Sequence, residues 1–276
     1  DIWHSASDTN EYLSTGWIGR YVDNYCQGAT PAITVDESLN LATKGNDFLG
    51  LAVVDPNKFY RTSKAPFFET LGDAANKETL HADNLGFLYK TMIETQASAQ
   101  YIYEKTNTQR ASGNYPTTPF GNKLKQTAQF INSGIASKVY YVDHGGFDTH
   151  ARQLNTQARL LEQYDTAIGA FVEDLEAHDT FDNTLILVFT EFGRRVKENA
   201  SGGTDHGTAN SVYLFGKHLK NSGVVNPYPS LDTLDSNGDI VFDVDFRSIY
   251  ATILEDWLGA DAATVLGRPF PKVSLV

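Results

Sequence analysis

Apolar residues recur along this chain at two rhythms. Between Leu85 and about Thr106, Leu85, Leu88, Met92, Thr95, Ala99 and Ile102 fall at helical spacing after the polar start Asp83-Asn84, which predicts a long helix. Leu124, Ala128 and Ile131 predict a shorter one. The Gly, Asn, Thr and Pro run from Ser112 to Pro119 between them reads as an internal loop, the best candidate linker within a single domain spanning 1–276. Near the start, Trp3, Leu13, Trp17, Ile18, Tyr21 and Val22 read as helical pieces. Phe48 to Val54 (FLGLAVV) reads as a short strand closed by Asp55-Pro56.

The second rhythm begins at Lys138. KVYYV, 138 to 142, is a β-branched and aromatic run that ends in the glycine-rich turn Asp143 to His150. A long helix follows, with Leu154, Ala158, Leu161, Ile168, Phe171, Val172 and Leu175 on one face. Asp182-Asn183 turns the chain into LILVF, 185 to 189, read as a buried strand, and Val212 to Phe215 predicts a third. Strand, helix and strand in that order predict a βαβ unit, hence an α/β fold with a mostly parallel sheet flanked by helices and with functional groups beyond the carboxyl ends of its strands. The closing helix is capped by Asp245, buries Phe246, Ile249, Tyr250, Ile253, Leu254, Trp257 and Leu258, and stops at Gly259. DTLDSNGD, 232 to 239, resembles a calcium loop, but Val244 stands where the glutamate is required, so it reads as an exposed turn.

Composition narrows the function classes. A net charge of -12 argues against sequence-independent nucleic-acid binding, which needs a basic face. Cys26 is the single cysteine, so a metal would have oxygen and nitrogen ligands. The longest apolar run falls well short of the ~20 residues of a membrane span. The abrupt opening Asp1-Ile-Trp-His reads as a processed or truncated product.

Asp143, His144, Asp148 and His150 lie within eight residues at a strand end, with glycines that let the backbone bend. Mixed carboxylate and imidazole ligands suit Zn, Mn or Fe, and carboxylates alone suit Mg or Ca. The competing reading makes Asp148 a helix cap and His150 a surface residue of the first turn. Glu191 leaves the LILVF strand where a ligand or base would sit, or else it pairs with Arg194 or Arg195, whose forks match phosphate or sulfate oxygens. His206, set among Gly202, Gly203 and Gly207, sits where backbone approaches a ligand closely. His4, His81, His178 and His218 lack such context and read as surface or locally hydrogen-bonded.

GGFDTH (145 to 150), FTEFGRR (189 to 195) and SGGTDHGTAN (201 to 210), with DFRSIYATILEDWLG, DIWHSAS and GWIGRY, resemble the domain-of-unknown-function 1501 family over nearly the whole chain. That family is similar in turn to the alkaline phosphatase and sulfatase superfamily of metal-dependent ester hydrolases. The resemblance implies an alkaline-phosphatase-like fold in which Asp148 takes the role of the first metal-binding aspartate and His206 that of the late histidine. Glu191 then corresponds to the aspartate of the second site's Asp-His pair, and His150 to the nearby histidine at a shorter spacing. Phe192 stands where the pair's histidine would be, so the second metal site is altered. The family pattern also implies an N-terminal segment ahead of Asp1, with a twin-arginine export signal, another metal ligand and the nucleophile.

The expected function is therefore a periplasmic or secreted bacterial hydrolase of phosphate or sulfate esters, small-molecule or glycan-linked, using a divalent metal ion (Zn, Mn, Mg or Ca). Arg194 or Arg195 would stabilise charge, and Asp143 or His144 would assist with protons. The rivals are a non-catalytic secreted or cell-surface protein that keeps the scaffold and one metal, and, from the 14 Tyr and 16 Phe, a sugar-binding module.

Overall fold

A computed structural model describes residues 1–28, 30–68, 70, 84–109 and 111–276. His81 and Asp83 lie outside the described residues, as do the side chains of Leu85 and Leu88. The helices follow the apolar periodicity closely. Among the described residues they include α1 (Ile2–Ser5), α2 (Trp17–Tyr25), α3 (Pro56–Ser63), α4 (Asn84–Thr106), α5 (Pro119–Asn132), α6 (Gln153–Ala177), α7 (Phe246–Thr252) and α8 (Ala262–Leu266).

Local chemistry sets their ends. Asp55 accepts from the amides of Asn57 and Lys58 ahead of α3, and Thr118 accepts from that of Gly121 ahead of α5, each helix starting on a proline whose missing N–H costs nothing there. Asp245 caps α7 through the amide of Arg247, α7 runs on as one π-helical stretch (Ile253–Trp257), and Gly259 at φ 67° ends it. By contrast, α6 starts without a side-chain cap, at Arg152 in the left-handed region. Asp148 therefore does not cap it.

The strands are short: β1 (Ala32–Thr34), β2 (Val139–Tyr141), β3 (Ile186–Val188), β4 (Gly193–Glu198), β5 (Thr204–Gly207) and β6 (Tyr213–Phe215). Each pairs with one other. β1 and β2 run parallel, β3 pairs antiparallel with β6, and β4 pairs antiparallel with β5. The mostly parallel, alkaline-phosphatase-like sheet expected from the sequence is thus corrected: among the described residues no large parallel sheet forms. The physical reason lies in the second strand of the expected βαβ unit. Ile186–Val188 takes its hydrogen bonds from Tyr213–Phe215 rather than from Val139–Tyr141, and both β2 and β3 are only half-buried, whereas a central parallel strand is covered on both faces. The strand expected over Phe48 to Val54 contracts to a parallel bridge from Ala52 to Thr34.

Alternation along these strands still sorts side chains to two sides. Val139, Tyr141, Leu187 and Phe189 pack on a cluster made by Trp3, Trp17, Ile18, Tyr21, Tyr250 and Leu254 of α1, α2 and the closing helix. Tyr140, Val142, Ile186 and Phe215 pack the other way, against Phe120, Leu124, Phe130, Ile168, Phe171 and Leu175 of α5 and α6. The loop 112–119 is pinned to α6 by buried Asp174, which accepts from Ser112 Oγ at 3.1 Å and Tyr115 Oη at 2.9 Å.

Candidate metal centre

Three donors converge. Asp148, His150 and His206 each offer a ligand atom, and all three atoms lie within 4.8 Å of one another on the protein surface. Asp148 Oδ1 is 2.8 Å from His206 Nε2 and 3.0 Å from His150 Nε2, and the two imidazole centroids are 4.8 Å apart. The hydrogen bond with His206 holds the Asp148 carboxyl below its usual range, and the nearby His206 and His150 charges add to that effect.

Two chain segments supply these donors. His206 stands on β5, while Asp148 and His150 come from the loop between β2 and α6. Close backbone approach brings them together: a Cβ on Gly203 would lie 2.6 Å from the carbonyl carbon and oxygen of His150, so only glycine admits the loop. Gln153 N donates to Gly202 O at 3.0 Å and Asn199 Nδ2 to His150 O at 3.0 Å, which fastens the loop to the β4–β5 hairpin.

The donor set fits a divalent ion. One carboxylate with two imidazoles is a mixed O and N set, and metal bonds of about 2.0–2.1 Å around a tetrahedral ion separate neighbouring donors by roughly 3.3 Å. The Asp148 distances are a few tenths of an ångström shorter, as expected of hydrogen-bonded donors. All three residues are exposed, so an ion held there would keep its remaining positions open to water. Asp205 Oδ1 accepts from Asn199 Nδ2 at 3.3 Å and lies 3.8 Å from His150 Nδ1, a second carboxylate beside the cluster but beyond hydrogen-bond distance of the ring. Asp205 and Asn199 were not singled out by sequence reasoning, although Asp205 adjoins His206 in the same glycine-flanked run.

The other candidate residues go elsewhere. Glu191 turns to His4, whose Nε2 is 3.3 Å from Glu191 Oε1 and 3.2 Å from Tyr141 Oη. Its interaction with the His4 imidazole lowers the Glu191 pKa. His4 itself is largely covered. Asp143 meets Asp36 and Lys123, the carboxylates arriving from the ends of the parallel strands β1 and β2. Hydrogen bonding from Asp143 pulls Asp36 down to about 2, while burial pushes Asp143 up. His144 lies flat on Phe120 at 4.4 Å with Nε2 3.3 Å from Leu160 O, and burial lowers its pKa. Together with Lys123 and Arg159 it borders a cavity of about 280 Å³.

Both arginines have protein partners. Arg194 donates to Thr204 O at 2.6 Å and Phe147 O at 2.5 Å, and Arg195 Nε donates to Asp239 Oδ1 at 3.0 Å. Phe192 lies parallel to His206 at 3.9 Å. His178 bonds Asp174, and His218 leans on Trp257.

A family profile described as protein of unknown function (DUF1501) matches residues 61–271, which include every one of these motifs from α5 to α7. The chain belongs to the DUF1501 family. Neither the curated proteins nor the solved structures give a match to it. Membership of DUF1501 carries no activity with it, so function has to be argued from the site. Among the described residues no helix is long and apolar enough to cross a membrane.

Proposed function

We propose that this protein is a metal-dependent hydrolase of phosphate or sulfate esters, similar in its chemistry to the alkaline phosphatase and sulfatase superfamily and working in the periplasm or outside the cell. The observation that carries the reading is the convergence of Asp148, His150 and His206 on an exposed point. Two imidazoles and one carboxylate favour Zn or Mn over Mg or Ca, which prefer all-oxygen shells.

A bound divalent ion supplies Lewis acidity toward an ester oxygen and lowers the pKa of a water. The chain's own residues do the rest. Asp148 contributes the negative charge, and His150 and His206 contribute Nε2. Asp205 Oδ1, 3.8 Å from His150 Nδ1, is beyond hydrogen-bond reach and adds negative charge beside that ring. In a protein of net charge -12, an oxyanion needs a local positive site, and the three-donor centre is where one would be created.

The alternative is a non-catalytic scaffold that keeps one metal site. It is favoured by the arginines, since Arg194 and Arg195 are both committed to protein partners rather than free for an ester oxyanion. Assays with 4-nitrophenyl phosphate and 4-nitrophenyl sulfate on zinc-loaded and manganese-loaded protein separate the two. Turnover that disappears in His206→Ala supports the hydrolase, and metal binding without turnover of either ester favours the scaffold.

A further inference from the structure

The metal donors come from segments distant in sequence, so their spacing depends on whatever ties the 143–152 loop to β5. Arg194 stands at that junction. On β4 it is the cross-strand partner of His206 on β5. Its guanidinium donates from Nη1 to Thr204 O, two residues before His206, and from Nη2 to Phe147 O and Thr149 Oγ1, the neighbours of Asp148 on either side, at 2.5 and 3.4 Å. The same guanidinium lies over the Phe192 ring, 5.1 Å from its centroid, and that ring in turn lies flat on His206.

We propose that Arg194 is the positioning residue of this centre: one planar fork bridges the Asp148 loop and the His206 strand and, through Phe192, fixes the face that His206 presents. The proposal rests on reading the cluster as a metal site. The fork shape is what the role requires. A guanidinium directs charge-assisted hydrogen bonds to acceptors on opposite sides at once, whereas a lysine is a point charge that satisfies them one at a time. Its charge is thereby spent on neutral acceptors, and what it sets is the distance between ligands.

The test compares wild type with Arg194→Met, Arg194→Lys and, as a charge control from the same strand, Lys197→Met. Zinc affinity is read by competition with a chromophoric chelator, and amide exchange is followed in the metal-free proteins. Arg194→Met is expected to bind zinc about 10-fold more weakly, the low end of the cost of losing a group that directly orients a ligand because Arg194 acts through the ligands' neighbours, with Arg194→Lys in between and Lys197→Met within about twofold of wild type. In the metal-free Arg194→Met protein, exchange at 146–150 and 204–207 is expected to quicken while the 153–177 helix keeps its protection.

Wild-type zinc affinity in Arg194→Met, an equal loss in Lys197→Met, or exchange that quickens evenly along the chain would overturn the proposal. If the wild type itself takes up no zinc, the metal reading fails. The exchange comparison then still decides whether Arg194 holds the two segments together.

Discussion

Two adjacent glycines, Gly202 and Gly203, make opposite predictions when each is changed to alanine. Gly203 is buried, and a Cβ there would sit 2.6 Å from His150 C and O and 2.9 Å from Ala151 N. Those contacts are with backbone, so no side chain can swing aside, and the His150 loop has to back away by most of an ångström. That movement strains the Gln153 N to Gly202 O and Asn199 Nδ2 to His150 O bonds. Overpacking of this kind costs about 1–3 kcal/mol, and each weakened hydrogen bond adds up to about 1 kcal/mol.

Gly202 differs. It has φ 70° and open space around it, the nearest atom being Glu198 Oε1 at 3.8 Å. Alanine there costs only the left-handed penalty, roughly 1 kcal/mol. Urea unfolding of the metal-free proteins, followed by zinc titration, reads both effects. Gly203→Ala is expected to lose about 2–3 kcal/mol and about 10-fold or more in zinc affinity, because His150 is displaced. Gly202→Ala is expected to keep its zinc affinity. Equal stability and equal affinity in the two variants would refute the account of how the loop docks.

Two further expectations concern ion clusters outside the centre. Lys123→Met leaves Asp36 and Asp143 facing each other without a cation, and since all three are partly exposed the expected loss at pH 7 is about 1–3 kcal/mol. Asp36, depressed to about 2, contributes stability above its ordinary value that is lost as pH falls through about 2, whereas Asp143, raised by burial, contributes below its ordinary value and loses this as pH rises. The Lys123→Met deficit in thermal melting is therefore expected to shrink toward pH 4, as Asp143 takes up a proton, and a deficit that grows on acidification would contradict the pairing. Asp174→Ala removes the buried acceptor of Ser112 and Tyr115 and is expected to cost about 3–5 kcal/mol and to open the 112–119 loop to proteolysis; an unchanged digestion pattern would count against it.

Helices were legible in this sequence because their signals are local. Periodicity over Gln153–Ala177 and Pro119–Asn132, and the Asp245 cap, need no distant partner. The sheet was not legible, because three-residue strands carry little periodicity and the partner of Ile186–Val188 is chosen by contacts far along the chain. The same division runs through the candidate site. Asp148, His150 and His206 lie in glycine-rich runs where close backbone approach is written into the residue types, and the structure brings them together. Glu191, Asp143 and Arg194 stand equally well placed in the sequence, yet their partners, His4, Asp36 with Lys123, and Phe147, come from segments that no spacing rule connects to them. Asp205 lacked only a reason to be preferred to its neighbour, and the geometry around His150 provides it.

Elemental analysis by plasma mass spectrometry, on the protein as purified and after zinc or manganese loading and desalting, tests the central claim most directly when Asp148→Ala and His206→Ala are carried alongside. Near-stoichiometric metal in the wild type, lost in both variants while their far-ultraviolet circular dichroism is unchanged, is the predicted result. Absence of metal from the wild type, or full metal content in His206→Ala, would contradict it.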